Sequence, residues 1–259
     1  MFERAATVDP RNPVPLINLF WTELNWRRDP KAAELAARRL VALDPGSSAF
    51  AHLAAWSLVA RCRFAEAEQA MHHVLSMDPN HRIAQPNLAH LLFRRGQAGE
   101  AASLYRRVLD QESHHPDPHS GTSLDLALAL LALGDRAGAY RLLDGAERDL
   151  ARRDGNPPAD PAARLELAEL EAARNRAERA EALVKSAVGA SPGDPSILFQ
   201  AAGVYALLGR RDEAVDQLES ALSGGYWDKY FALVDPVFGS IREEPRFKNL
   251  FPGCEDSGH

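Results

Sequence analysis

A chain of 259 residues is long enough to bury a continuous core, and its dominance by Ala, Leu, Arg and Glu, with only 7% aromatic residues, favours helices over strands. Acidic residues outnumber basic ones, 36 to 30, so no global positive field exists to gather nucleic acid or an anionic lipid surface. No run nears the roughly 18 apolar residues of a membrane span, no secretory leader pattern opens the chain, and Cys62 and Cys254 are too few for a disulfide framework.

In chain order, Phe2 to Pro10 reads as the last turns of a helix. A helical hairpin follows from about Pro13, with an extra residue in its inner turn around Arg28-Asp29-Pro30, and two more start at about Ser48 and Arg82. The polar loop His114 to His119 leads into a fourth hairpin from about Ser120, whose second helix runs to Arg153 before the break Gly155-Asn156-Pro157-Pro158. The fifth and sixth hairpins begin at about Pro161 and Pro195.

The hairpins repeat. Val8-Asp9-Pro10, Leu43-Asp44-Pro45, Met77-Asp78-Pro79 and Ala190-Ser191-Pro192 punctuate them, and Pro45 and Pro79 lie 34 residues apart. The sixth unit carries Leu198, Ala201-Ala202, Tyr205, Gly209, Ala214, Leu218 and Ala221. The third carries Leu88-Ala89, Leu92, Gly96, Ala101, Tyr105 and Val108, and the second Ala54-Ala55, Leu58, Ala67, Met71 and Val74, with Cys62 in place of the turn glycine. This order of small and large residues resembles the tetratricopeptide repeat, in which small side chains let two antiparallel helices approach and large ones fill the space between units.

The resemblance implies a right-handed, all-α solenoid of about six units over residues 13–225. Residues 1–12 are then the second-helix remnant of a preceding repeat, which implies that the chain was cut from a longer one or begins at a downstream start. Residues 226–252 form a C-terminal capping segment, and 253–259 a disordered tail. The stretch Gly224-Gly225-Tyr226 to Phe247 resembles the segment that closes such arrays in bacterial signalling proteins, with Trp227, Phe231, Phe238 and Phe247 covering the last repeat's open apolar face.

Chemistry is sparse. There is no phosphate-binding Gly-rich loop, no nucleophile elbow and no His-Glu-x-x-His zinc motif. Three imidazoles and a carboxylate in His114-His115-Pro116-Asp117-Pro118-His119 have ligand chemistry, but the two prolines forbid the helical spacing that would aim two histidines together. The expectation is no enzyme activity, no cofactor and no metal.

In the family, the first helix of each unit lines the concave face. Transferred to this sequence, that face holds Asn18, Trp21 and Asn25 in the first unit, His52 and Trp56 in the second, and Asn87, His90, Phe93 and Arg94 in the third. Asn18 and Asn87 stand where related superhelices hydrogen-bond the backbone of an extended peptide, although Leu53 breaks the ladder between them. Leu124, Asp125, Glu166 and Glu169 make the fourth and fifth units more acidic, so a partner spanning the groove would be apolar at one end and basic at the other.

The resemblance therefore implies a non-catalytic scaffold, cytoplasmic as written, that binds a protein or peptide partner. It implies no nucleic acid and no membrane insertion. Two further expectations are a homodimer through the N-terminal half-repeat and, as the alternative function, the recruiting arm of a kinase, cyclase or glycosyltransferase whose catalytic domain lies upstream.

Overall fold

Aspartates set the starts of the helices. Asp29, Asp160 and Asp194 each precede a proline that opens a helix, and their carboxylates accept first-turn N–H groups: from Lys31 and Ala32, from Ala163, and from Ser196 and Ile197. The computed structural model describes residues 2–112, 120–252 and 254, so the His114 to His119 loop lies outside the described residues. Among the described residues every regular element is helical, which is the all-α helical-repeat class expected.

The chain forms two compact units, the first comprising residues 1–91, 227–234 and 252–259, the second residues 92–226 and 235–251. The first unit holds α1 (Phe2–Val8), α2 (Val14–Trp21), α3 (Pro30–Leu43), α4 (Ser48–Ala60), α5 (Phe64–Met77) and most of α6 (Ala84–Arg94). Helices pair as α2 with α3 and α4 with α5, and α3 packs on α4. Ala33, Ala37, Ala55 and Ala67 are fully buried at these contacts, while Phe20, Leu24, Leu40 and Met71 fill the space around them.

The extra residue of the first hairpin is absorbed earlier than the sequence suggests. Thr22–Trp26 is a π-turn closed by Arg27 N–H on Thr22 O, so α2 stays continuous with it and the chain turns at Arg28, which has φ 56°. Glu34, almost buried on α3, ties this hairpin to the next through Arg61 and Arg63 and also pairs with Arg38. Burial opposes ionisation of Glu34, but Arg61 and Arg38 outweigh it and hold the carboxyl below its ordinary range.

The second unit contains α7 (Ala98–Glu112), α8 (Ser120–Ala132), α9 (Arg136–Asp154), α10 (Pro161–Ala173), α11 (Ala177–Ala190), α12 (Pro195–Leu207) and α13 (Arg211–Ser223). Its hairpins are α8–α9, α10–α11 and α12–α13. Short 3-10 turns over Lys229–Leu233 and Pro236–Ser240 follow, then α14 (Pro245–Asn249). Phe238 meets Phe199 of α12 at 5.1 Å, Ser240 Oγ donates to Ala206 O at 2.6 Å, and Arg246 of α14 pairs with Asp216 and Glu219 of α13. Gly203 permits this closure, because a Cβ there would lie 3.1 Å from a Val237 methyl.

Two features differ from the sequence reading. Phe231 does not join Phe238 on α12; the stretch Trp227–Val234 belongs to the first unit, with the Phe231 ring 6.5 Å from Trp56 and 5.2 Å, edge-on, from His90. The two cysteines, too few for a framework, nevertheless form one disulfide, Cys62–Cys254. Their separation of 192 residues carries no local signal, but the fold brings their Cα atoms within 5.1 Å. Cys62 holds φ 56°, a left-handed turn position that Gly96, Gly134 and Gly209 fill elsewhere in the chain.

Candidate peptide-binding groove

The first helices of the early hairpins, α2, α4 and α6, turn one set of side chains toward an open cleft of about 730 Å³ in the first unit. Its walls are mostly apolar: Ile17 and Trp21 come from α2, Phe50, Leu53 and Trp56 from α4, and Ile83 from the approach to α6. The far rim is supplied by Trp227, Asp228 and Phe231. A cleft of this volume, apolar with a few placed polar groups, has the size and character of a recognition pocket.

Four polar side chains, Asn25, His52, His81 and Asn87, interrupt the apolar wall. Asn87 Nδ2 stands 3.1 Å from His52 Nε2, both residues being buried. Burial, and secondarily His81, lowers the His52 pKa to about 4, so its ring is neutral at pH 7 and accepts from the Asn87 amide through Nε2, leaving the proton on Nδ1. Asn25, just beyond α2, has its Oδ1 buried and accepts no hydrogen bond. On the rim, burial raises the Asp228 carboxyl to about 6.

The model of the tetratricopeptide repeat family matches residues 52–116 and 124–195, more than half of the sequence. The chain belongs to the tetratricopeptide repeat family. Members are protein-interaction scaffolds, and that general role is the one this repeat protein has. It is similar to the structure solved in the functional characterisation of Pseudomonas aeruginosa pilF, with 18% identity, 79% of this chain and 88% of that one covered, and a TM-score of 0.53. It is also similar to a tetratricopeptide repeat protein from Parabacteroides merdae, with 18% identity, 95% and 93% covered, and a TM-score of 0.50. At such identity these likenesses show the fold alone. No curated protein matches the sequence.

Of the groove residues transferred from the family pattern, this tetratricopeptide repeat protein brings Trp21, Asn25, His52, Trp56 and Asn87 together around the cleft. Asn18 is exposed and does not line it; Ile17, one residue earlier, does. His90 is buried against Phe231, while Phe93 and Arg94, half-buried at the end of α6, fall in the second unit. Phe50, Ile83, Trp227 and Asp228 were not anticipated. The aromatic rim was visible in sequence, but nothing local tells which repeat Trp227 and Phe231 would reach. Among the described residues no group of three or more His, Cys, Asp or Glu is placed to hold a metal, and no helix is long and apolar enough to cross a membrane.

His52 and Asp228 should give this repeat protein opposed pH dependences. The folded His52 pKa lies below its unfolded value, so its contribution is present above about pH 6.5 and is lost as pH falls toward 4, by at most about 3 kcal/mol. The folded Asp228 pKa lies above its unfolded value, so its contribution is present below about pH 4 and is lost as pH rises through 6. Urea midpoints of the first unit, followed by tryptophan fluorescence, should therefore rise more steeply from pH 4 to 6.5 in Asp228→Asn than in the wild type. In His52→Gln they should rise less steeply or fall. Identical slopes in all three proteins would show that neither group is held as described.

Proposed function

We propose that this chain is a non-catalytic scaffold that holds an extended segment or a helix of a partner protein against α2, α4 and α6 of the first unit. One observation carries the reading: the inner helices present a cleft of about 730 Å³ walled by Trp21, Phe50, Leu53 and Trp56, beside the chain's own Phe231 seated on Trp56 and His90. These helices thus already accept a short aromatic-bearing segment in cis. Aromatic walls give large contact area at low entropic cost, which suits them to capture a side chain of a partner. The terminal segment, which resembles those of bacterial signalling arrays, supplies one rim of the cleft and so helps to shape what it accepts.

Trp21 is the position that tests this reading, because it lines the cleft while remaining only half-buried. Trp21→Ala should weaken a captured partner by about 2 kcal/mol, roughly thirtyfold. Gln69→Ala and Arg107→Ala, at exposed positions on α5 and α7, should leave its affinity unchanged.

A further inference from the structure

The cleft carries one negative charge that the groove reading does not explain. It is the Asp228 carboxylate, which accepts a hydrogen bond from the Phe231 backbone N–H but has no cation beside it. Of the groups lining the cleft it is the acidic one, no Lys or Arg is among the lining residues, and none pairs with it. Lys229, next in sequence, is buried with its ammonium 4.7 Å from the centre of the Tyr230 ring.

Resting on the function proposed above, we infer that the cleft takes a bulky apolar side chain of a partner segment that also carries Lys or Arg beside it. The apolar group lies against Trp21, Phe50 and Trp56, and the cation pairs with Asp228. Charge complementarity selects this occupant. An acidic segment, or a chain terminus entering through its carboxylate, would bring a second negative charge against Asp228 with no cation to receive it. The raised Asp228 pKa is consistent with this vacancy, since a carboxyl with a cation beside it would be held low. The neutral His52 adds no positive charge at pH 7.

Three capped peptides test the assignment: acetyl-Gly-Lys-Phe-Lys-Gly-amide, acetyl-Gly-Glu-Phe-Glu-Gly-amide and acetyl-Gly-Lys-Ala-Lys-Gly-amide. None contains tryptophan, so the protein's own fluorescence reports binding, three of its four tryptophans lining the cleft. At about 0.15 M salt, where remote charges are screened, the Lys-Phe-Lys peptide should bind about tenfold more tightly than either other peptide. Asp228→Asn should reduce its preference over Glu-Phe-Glu to within about twofold, because only the carboxylate distinguishes the two. Circular dichroism checks that Asp228→Asn keeps the helical content of the wild type.

Equal binding of Lys-Phe-Lys and Glu-Phe-Glu, a preference that survives Asp228→Asn, or no binding of any peptide overturns the inference. If both Phe peptides bind alike and Trp21→Ala abolishes both, only the charge assignment falls and the groove reading stands. If instead the charge preference is found but a captured partner ignores Trp21→Ala, the groove reading fails for that partner while the site remains.

Discussion

Trp56→Ala should cost the first unit about 3–5 kcal/mol, a large share of the stability of a domain this size. Trp56 is 4% exposed although it lines the cleft, and its ring stands against Phe231, so it forms a structural wall as much as a contact for a partner. Truncation removes a large buried surface and leaves a cavity that α4, anchored by fully buried Ala55 and Val59, cannot collapse to fill. The fluorescence of the remaining tryptophans should report a much lower urea midpoint. Far-UV circular dichroism should fall in two steps, the first with the fluorescence and the second later, because repeat arrays lose units individually rather than in one transition. A change below about 1 kcal/mol would mean that Trp56 is not part of a packed wall. The consequence for function is practical: loss of partner binding in Trp56→Ala does not by itself locate the partner, whereas loss in Trp21→Ala does.

Reduction of Cys62–Cys254 should be the second large effect. The bond joins the turn between α4 and α5 to the end of the chain across 192 residues, both cysteines falling in the first unit. Closing so long a loop restricts the unfolded ensemble, and disulfides of this kind contribute about 2–4 kcal/mol. Adding a dithiol reductant should therefore lower the urea midpoint of the first unit, and Cys62→Ser should match the reduced protein and become indifferent to reductant. Because Cys62 holds a left-handed backbone conformation, Cys62→Gly is a sharper control. It removes the bond but relaxes the turn, and should recover part of the loss, about 1 kcal/mol. If two free thiols titrate in the untreated protein and reductant changes nothing, the bond makes no contribution.

Much of the fold was legible because its cause is local and repeated. Asp-Pro punctuation, small residues where helices approach and glycine where a turn needs positive φ recur along the chain, and each acts within one hairpin. The register of the first hairpin was harder to read. An extra residue can be housed in the turn or in the helix, and its housing as a π-turn at Thr22–Trp26 accompanies Ile17 and Asn25 at the cleft while Asn18 stands exposed. What could not be read was non-local. Phe231 and Phe238 are seven positions apart with the same chemistry, yet one packs beside Trp56 and the other beside Phe199. The disulfide is the same case, since no periodicity links Cys62 to Cys254.

The central claim is that the inner face of α2, α4 and α6 holds a partner, and the affinity of a captured partner for Trp21→Ala measures it most directly. Trp21 is half-buried and touches the cleft, so the variant should retain its helical content and urea midpoint within about 1 kcal/mol while removing an aromatic anchor. The account predicts about a thirtyfold loss of affinity in Trp21→Ala, with Gln69→Ala and Arg107→Ala bound as tightly as the wild type. An unchanged affinity in Trp21→Ala, with loss on the outer-helix substitutions instead, would contradict it and place the partner on another surface.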